Sequence, residues 1–396
     1  NLSIFLNYRT LKYEDSNLKD EPSLNSRILY SDRFFGQILQ TTTAYETSSG
    51  TIAQQEFTYL QVEPGQGVYM WNDYNGNGIQ ELQEFEIAPY SDLAIYVRVF
   101  LPNQVFVRTH QNKFSQALNF NFNQWQNEKG FKKFASHFYN QTSFLIERRI
   151  RRDGSNFDLN PFSKNDDELI GLNTNFRNSL FFNRGKQYHS TTYSFLINES
   201  QNLINVLFDG NQNLASVESI SAKNQSHQLQ YQHLVKKSWL FNLSGSTTST
   251  ESTSENYPNR NFEIDGYQIE PKIGYLFSKN ASWDIFYEFQ QKENQIGAFE
   301  TLKQTRLGTS FTFNSEKGFS MNGEFSMYNN SYDGNALSAV GFQMLEGLQP
   351  GKNQTWRLLL QKNLTQYLDV NINYQGRNSE TSKTIHTGNV QLRAFF

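Results

Sequence analysis

Cysteine is absent from this chain of 396 residues, and long hydrophobic runs are missing as well. Without cysteine the chain can form no disulfide framework, no thiol nucleophile and no cysteine-ligated metal site. The apolar runs are only a few residues long, whereas a membrane-spanning helix needs about 20 residues. Charged residues make up 18% of the chain and the net charge is −3, which argues against a general nucleic-acid binder.

Aromatic residues are abundant in a chain that is polar on average. The sequence has 34 Phe and 21 Tyr, yet the mean hydropathy is −0.66. Disordered chains contain few aromatic residues, so this composition disfavours disorder. A polar, aromatic-rich chain is typical of a transmembrane β-barrel, which has a wet interior and aromatic girdles at both membrane interfaces.

The last two predicted strands alternate with a period of two. In Leu368–Gln375 and in Asn389–Phe396, apolar residues occupy every second position, and polar residues fill the positions between them as far as Arg393. Such alternation indicates strands with one apolar and one polar face. A soluble β-sandwich alternates in the same way, so this pattern alone leaves both architectures open.

Connections between the predicted strands alternate between short turns, such as Ser31–Arg33 and Asn127–Gly130, and longer loops. A sandwich gives no reason for this, whereas outer-membrane barrels have short periplasmic turns and long extracellular loops. The sequence therefore predicts an all-β fold, a transmembrane antiparallel up-and-down β-barrel of about 16 strands. The predicted strands lie near Leu2–Tyr13, Leu24–Tyr30, Phe34–Tyr45, Gln104–Phe122, Phe131–Ile150, Leu169–Phe182, Tyr188–Ile197, Glu218–Val235, Trp239–Ser249, Tyr267–Phe277, Trp283–Gln291, Leu302–Phe313, Phe319–Tyr328, Gln354–Asn363, Tyr367–Gly376 and Thr384–Phe396.

We expect residues 1–396 to form a single barrel in the bacterial outer membrane, in contact with outer-membrane lipids. An even number of strands places both termini on one side, the periplasm. The longest loop, Thr47–Asn103, is predicted to be an extracellular insertion. No signal peptide precedes Asn1, so we expect a mature protein or the C-terminal barrel of a longer one.

The longest loop contains the most specific motif in the chain, Asp73 to Glu84, which matches the calcium-loop pattern D-x-[DN]-x-[DN]-G-x5-E. Calcium prefers six to eight oxygen ligands. Two Asn in place of Asp predict weak binding, with Kd of about 10⁻⁴–10⁻³ M. The alternative is an Asn-Gly turn without a metal, since the residues before the motif are strand-like and not helical. The predicted ligands are Asp73, Asn75, Asn77, the carbonyl of Ile79, Glu81 and Glu84.

An arginine-rich run lies near the outer end of its predicted strand. Guanidinium groups pair with phosphate in a bidentate way, so these residues are candidates for holding lipid phosphates or an acidic partner. Alternatively, and with equal weight, these arginines bind nothing and are only the solvent-exposed end of a strand near the acidic residues Asp166–Glu168. The candidate residues are Arg148, Arg149, Arg151 and Arg152.

Catalysis has little support in the sequence. The six histidines show no metal-binding spacing such as H-E-x-x-H. His137 and His189 each neighbour a serine, but adjacent side chains of a strand point to opposite faces. We therefore expect a non-enzymatic protein, with a barrel-embedded hydrolase as the weakest alternative.

Three stretches resemble large outer-membrane proteins of the Bacteroidota. They are Gly67–Glu86, Leu345–Asn353, and Tyr374–Arg377 together with Ile385–Gly388. The resemblance extends through most of the chain and is densest in these stretches. It implies an outer-membrane location and a barrel, and it implies no particular biochemical activity.

Two functions remain open from the sequence. In the first, the barrel is a scaffold or accessory subunit of an outer-membrane assembly for secretion, uptake or barrel assembly, and its long loops bind surface lipoproteins or other outer-membrane proteins. In the second it is a passive diffusion pore, since about sixteen strands leave an aqueous channel. An acidic loop folded in opposite basic wall residues would favour the pore.

Overall fold

Alternation of apolar and polar residues builds most of the chain into β-strands. The structure is a computed structural model that describes residues 1–12, 21–152, 157–163, 168–185, 188–208, 214–255, 257–315, 318–365 and 367–394. None of the described helices is long and apolar enough to cross a membrane. The strands are β1 (Leu2–Leu11), β2 (Glu21–Phe34), β3 (Leu39–Gln61), β4 (Tyr69–Trp71), β5 (Phe85–Ile87), β6 (Tyr96–Asn121), β7 (Phe138–Arg151), β8 (Leu169–Phe182), β9 (His189–Phe208), β10 (Leu214–Val235), β11 (Trp239–Ser254), β12 (Phe262–Ser278), β13 (Ala281–Asn294), β14 (Thr301–Ser315), β15 (Phe319–Asp333), β16 (Gly351–Thr365), β17 (Leu368–Ser379) and β18 (Ile385–Ala394). The helices are α1 (Phe131–Ala135) and α2 (Ala339–Leu345), with single 3₁₀ turns at Leu82–Glu84, Asn123–Trp125 and Pro258–Arg260.

Sixteen of these strands form one antiparallel up-and-down sheet, which we call the wall. β1 pairs with β2, β2 with β3, and β3 with β6; from β6 to β18 each strand pairs with the next. The other two strands, β4 and β5, form a small hairpin beside β6. This topology confirms the predicted fold class.

An ion pair between distant strands shows that the wall curls. Arg377 in β17 contacts Asp92, which lies four residues before β6 begins at Tyr96. In a flat sheet, the eleven strand spacings from β6 to β17 would cover about 53 Å at about 4.8 Å each. Four residues reach at most about 14 Å, so the wall curves back on itself, as in a barrel.

The two faces of the wall differ in polarity. Phe241, Ile273 and Ile285 are cross-strand neighbours on the outward face and are 40–47% exposed. On the inward face, Arg306 forms ion pairs with Glu288 and Glu324. An exposed apolar outer belt around a polar interior is typical of contact with lipid outside and water inside.

Long connections lie at one end of the wall as predicted, although 380–384 there has only five residues, and the connections at the other end are short with one exception. Residues 62–95 and 334–350 connect wall strands at one end, whereas 236–238 and 279–280 are turns at the other end. The exception is the segment 122–137 at the short-turn end, which contains α1.

The predicted strand Phe131–Ile150 is therefore wrong over its first seven residues, since β7 begins at Phe138. Gly130, with φ of 66°, redirects the chain into the single helical turn of α1. Phe134 then packs on Phe138 at 5.2 Å between ring centroids. The residue pattern after the predicted turn Asn127–Gly130 did not predict this short helix or the packing of Phe134 on Phe138.

The predicted turn Ser31–Arg33 is displaced as well. These residues stay in β2, where Asp32 pairs with Thr41 of β3. Asp32 accepts hydrogen bonds from the Arg33 N–H at 2.8 Å and the Tyr30 hydroxyl at 3.0 Å, so its turn-forming chemistry is satisfied within the strand. The chain reverses at residues 35–38, where Gly36 has φ of 63°.

The predicted insertion Thr47–Asn103 is shorter in the structure and spans residues 62–95. Its two flanks belong to β3 and β6, which pair as far as Gln61 and Tyr96. Polar residues such as Thr51 interrupt the apolar alternation there, but backbone pairing needs no apolar side chains. Sequence periodicity therefore ended β3 too early and began β6 too late.

A second long connection, residues 334–350, contains α2 and is called the helical loop. The Ser338 hydroxyl caps the helix by accepting the N–H of Gly341 at 3.0 Å. The apolar side of the helix forms a buried core against β12 and β14. This core comprises Ile264, Leu302, Val340, Met344 and Leu345.

The first and last wall strands, β1 and β18, are the two edges of the wall. Within the part of the chain that the structure describes, no ladder joins β1 to β18. Leu6 in β1 and Leu392 in β18 are 68% and 66% exposed. Each of the two strands therefore presents an edge of unpaired backbone groups.

Candidate functional site

Residues 62–95, which we call the acidic insertion, join β3 to β6 and cross the mouth of the wall. This segment contains no Lys, Arg or His, so its formal charge is strongly negative. Its acidic residues are Glu63, Asp73, Glu81, Glu84, Glu86 and Asp92.

The base of the acidic insertion is built on an aromatic stack. β4 and β5 pair antiparallel, with Trp71 opposite Phe85. Phe85 is buried and stacks on Tyr59 of β3 with ring centroids 4.0 Å apart, and it meets Tyr96 of β6 edge-on at 5.0 Å. Aromatic pairs at these spacings are favourable, so the hairpin is fixed to the strands from which it emerges.

The far side of the acidic insertion is held by Arg377 of β17. The guanidinium donates to both oxygens of Asp92, at 2.5 and 2.7 Å, and lies 4.2 Å from the centre of the Tyr90 ring. Gln375, two residues earlier on the same inward face, donates to the Ser91 hydroxyl at 2.8 Å. Bidentate, charge-assisted pairs of this kind are among the strong hydrogen bonds in proteins.

A second arginine holds the hairpin. Arg260, in the 3₁₀ turn between β11 and β12, forms an ion pair with Glu86 of β5. The Tyr74 hydroxyl also donates to Glu86, at 3.3 Å. Burial and the nearby Glu86 carboxylate raise the pKa of Tyr74 well above its ordinary value, so this phenol stays protonated and continues to donate.

The acidic insertion also touches the helical loop. A Cβ on Gly347 would lie 2.4 Å from Cγ of Pro89, so backbone and proline are in close contact. Beside this contact lies a cavity of about 470 Å³ between the two segments. Trp71, Leu93, Phe342 and Leu345 are among the residues that line it.

The inward face beneath the acidic insertion carries paired charges. A cavity of about 230 Å³ separates Tyr90 and Asp92 from Glu324 and Arg357 of the wall. Glu324 also pairs with Arg306. The acidic insertion is thus attached to a charged inner wall, and free space remains between them.

The predicted calcium loop folds as a series of turns capped by side chains. Asp73 Oδ1 accepts the N–H of Gly76 at 2.7 Å, and Asp73 Oδ2 accepts the N–H of Gly78 at 2.8 Å. Asn77 Oδ1 accepts the N–H of Ile79 at 2.6 Å. Gly76 and Gly78 both have φ of 71°, a conformation that glycine adopts without strain.

Three residues of the same loop, Asn75, Glu81 and Glu84, line one cavity of about 220 Å³. The Asn75 amide donates to Glu81 Oε2 at 2.8 Å. Among the residues that the structure describes, no three His, Cys, Asp or Glu side chains are grouped as a metal site. Calcium binding here would therefore require amide and carbonyl oxygens beside the carboxylates, and it stays a prediction.

Two of the four arginines of the predicted anion site are separated by the wall. Arg148 and Arg149 are consecutive in β7, so their side chains point to opposite faces. Arg148 is 1% exposed on the outward face and donates to Asp158 Oδ2 at 2.7 Å. Arg149 faces inward and donates to Gln111 Oε1 at 2.9 Å.

The other two arginines of that run are also apart. Arg151 shares the inward face of β7, whereas Arg152 follows the strand and donates to the carbonyl oxygen of Pro22 at 2.6 Å. The four guanidinium groups therefore do not converge on one position. Binding of lipid phosphate by any of them stays a prediction.

The two histidines considered for catalysis meet at the short-turn end of the wall. Asn183 Oδ1 lies 2.6 Å from His137 Nδ1, and Asn183 Nδ2 lies 2.7 Å from His189 Nε2. The Asn183 side-chain amide thus joins the two imidazole rings. A structural role, linking the ends of β7, β8 and β9, explains this arrangement.

The anchoring residues of the acidic insertion were missed by the sequence prediction. Arg377 and Arg260 are isolated cations in polar surroundings, and no local motif connects them to Asp92 or Glu86. Two signals were present in the sequence: the lack of any base in residues 62–95, and an arginine on the inward face of a strand otherwise rich in amides.

Comparisons with known proteins give little guidance. No family model matches the chain, and no curated protein matches it. A crystal structure of the P. putida toluene transporter TodX is similar over 100% of this chain and 88% of that chain, with 8% identity and a TM-score of 0.25. At this TM-score the likeness carries no argument about fold or function. No comparison supports the resemblance to Bacteroidota proteins.

Proposed function

We propose that the chain is a non-enzymatic outer-membrane channel whose mouth is closed by the acidic insertion. The observation that carries this proposal is the bidentate pair between Arg377 on the inward face of β17 and Asp92 of the acidic insertion. An acidic segment folded in against basic wall residues is the arrangement that favours a pore. Because charge holds the segment in place, ions or a charged solute could release it.

Conductance in planar bilayers tests this function. The purified protein is compared with a variant in which residues 62–95 are replaced by a short Gly-Ser linker. We expect low or flickering conductance from the native chain and a larger, steady conductance from the variant. The control replaces the exposed residues 297–299 between β13 and β14 and should conduct like the native chain. Equal conductance of all three proteins would overturn the proposal.

The same function requires the acidic insertion to face the cell exterior. Because the chain has no cysteine, Ile79→Cys would supply a single thiol at a side chain that is 63% exposed. We expect a membrane-impermeant maleimide to label this variant on intact cells. Labelling only after permeabilisation would place the acidic insertion, and the predicted extracellular loops, on the periplasmic side.

A second candidate function is that of a subunit in an outer-membrane assembly. The exposed edges of β1 and β18 favour it, because such edges can pair with strands of another chain. Gentle purification in calcium followed by mass spectrometry tests this candidate. Stoichiometric outer-membrane partners would support a scaffold, whereas a protein purified alone would favour the channel.

A further inference from the structure

Glu84 is a buried carboxylate whose hydrogen bonding is incomplete. It is only 2% exposed. One oxygen, Oε2, accepts the indole N–H of Trp71 at 2.7 Å and the backbone N–H of Glu81 at 3.4 Å. The other oxygen, Oε1, is buried and accepts no hydrogen bond from any described residue. An unpaired buried carboxylate oxygen is strongly unfavourable unless a cation or donor reaches it.

The surroundings of Glu84 offer space and further oxygen atoms. Glu84 lines the cavity of about 220 Å³ together with Asn75 and Glu81. One cation, Arg260, also lines this cavity, but its guanidinium pairs with Glu86. The loop side of the cavity thus presents the carboxylates of Glu84 and Glu81 and the amide of Asn75. Glu81 accepts the Asn75 amide N–H, and Asn75 Oδ1 accepts the backbone N–H of Asn77.

The position of Glu84 in the motif indicates which ligand its unpaired oxygen would bind. In calcium loops of this pattern, the twelfth residue is a glutamate that binds the ion through both oxygens. Counted from Asp73, Glu84 is that twelfth residue. The buried, half-satisfied carboxylate and the motif are independent observations that indicate the same ligand.

We propose that the loop Asp73–Glu84 binds calcium and that the ion orders the acidic insertion. Asn75, Glu81 and Glu84 share the cavity and would supply the first side-chain oxygens. Asp73, Asn77 and the Ile79 carbonyl lie outside that cavity and would complete the ligand set when the loop closes on the ion. The ion neutralises part of the negative charge on the insertion and joins the exposed turns to the buried end of the loop. The proposal deepens the proposed channel function, since it names what sets the shape of the segment that closes the mouth.

Terbium luminescence tests this site directly. Tb³⁺ takes the oxygen ligands of Ca²⁺ and emits when a nearby indole is excited, and the Trp71 indole donates to Glu84 itself. With the purified full chain in detergent, we expect tryptophan-sensitised emission that Ca²⁺ displaces and Mg²⁺ displaces poorly. Mg²⁺ demands a smaller octahedral site and gives up its water reluctantly.

Two matched variants make the test specific. Glu84→Gln keeps the size of the side chain and an acceptor for Trp71 but removes the charge, and we expect Tb³⁺ affinity to fall by about tenfold or more. Glu63→Gln removes an exposed acidic residue of the same insertion outside the loop and should bind as the native chain does. Absence of Ca²⁺-displaceable emission, or equal affinity in both variants, would overturn the calcium proposal.

The binding assay does not depend on conduction, so the two proposals can fail separately. A channel that opens when residues 62–95 are replaced, in a chain that binds no Tb³⁺, would retain the proposed function and reject the calcium site. Specific Tb³⁺ binding, in a chain whose conductance does not change when residues 62–95 are replaced, would retain the calcium site and reject the channel function.

Discussion

Two segments meet at the same end of the wall and are held by different balances of charged and apolar contacts. The acidic insertion reaches distant parts of the wall through ion pairs to Arg377 and Arg260, while the aromatic stack on Phe85 fixes its base. The helical loop is held mainly by apolar packing, with Met344 almost fully buried, and by one ion pair between Lys292 and Glu346. The segments touch where Gly347 meets Pro89.

This difference separates a fixed element from one that can be released. Apolar packing is not screened by salt, and some salts strengthen it, whereas ion pairs near water are weakened at high ionic strength. The helical loop therefore provides a rigid support where Gly347 meets Pro89, whereas the ion pairs that hold the acidic insertion to Arg377 and Arg260 can be weakened by salt. Variants that exchange these properties should show which segment controls the mouth.

The largest effect is expected from Met344→Ala. Removing a side chain that is 1% exposed leaves a cavity in the core of the helical loop, and such changes cost about 2–5 kcal/mol. The loss of stability is measured by urea unfolding, and the local loosening is measured by the rate of proteolysis within residues 334–350. Met327→Ala is the matched control, because Met327 lies on the outward face and is 41% exposed. Equal losses in the two variants would show that the helical loop has no protected core.

A smaller, local effect is expected from Arg377→Gln. The change removes two charge-assisted hydrogen bonds to Asp92, each worth about 1.5–3 kcal/mol when fully formed; partial exposure reduces this value. We expect faster proteolysis within residues 62–95 and higher conductance, with overall unfolding unchanged.

Arg357→Gln is the control for that variant, since Arg357 lies on the same inward face at the same cavity. The double variant Arg377→Asp with Asp92→Arg should restore the pair and with it the native protease resistance. A double variant as sensitive as Arg377→Gln would show that the ion pair does not hold the acidic insertion.

Gly347→Ala tests the contact between the helical loop and the acidic insertion. Gly347 has φ of 80°, and the added Cβ would meet Pro89. Gly297→Ala is the control, because it carries a similar strain, with φ of 71°, in open space. An alanine in this left-handed region costs about 1–2 kcal/mol, so both variants lose that amount. We expect only Gly347→Ala to increase proteolysis of residues 62–95 as well.

The wall was largely predictable from the sequence, and the contacts across its mouth were not. β8 has the predicted bounds Leu169–Phe182, and β11 begins at Trp239 as predicted, because alternation and turn residues are local signals. The bidentate pair joins residues 285 positions apart. No periodicity in either segment encodes that partner, which depends on how the wall curls.

The calcium motif was partly predictable from the sequence. Its spacing made Asp73 and Glu84 candidates from the sequence alone, since the twelve-residue pattern is local. Burial of Glu84 depends on Trp71 and on the way the hairpin folds back, and only the structure provides it. Sequence reasoning therefore named the residues, while the unsatisfied oxygen came from tertiary packing.

The smallest effect at ordinary pH is expected from Tyr90, the ring on which Arg377 lies. Burial raises the pKa of Tyr90 to about 12, with smaller contributions from Tyr328, Glu346 and Asp92, against the opposing charge of Arg377. Because the folded state favours the neutral phenol, its contribution to stability is complete below the ordinary pKa of about 10 and is lost as pH rises towards about 12.

We therefore expect the acidic insertion to become protease-sensitive between pH 10 and 12 in the native chain. Tyr90→Phe keeps the ring beneath Arg377 and removes the ionisable group, so its pH profile should lack this component. Difference absorbance of tyrosinate should show one late-titrating phenol fewer in the variant. Identical profiles for the two proteins would remove Tyr90 from the anchor and assign the alkaline release to another group.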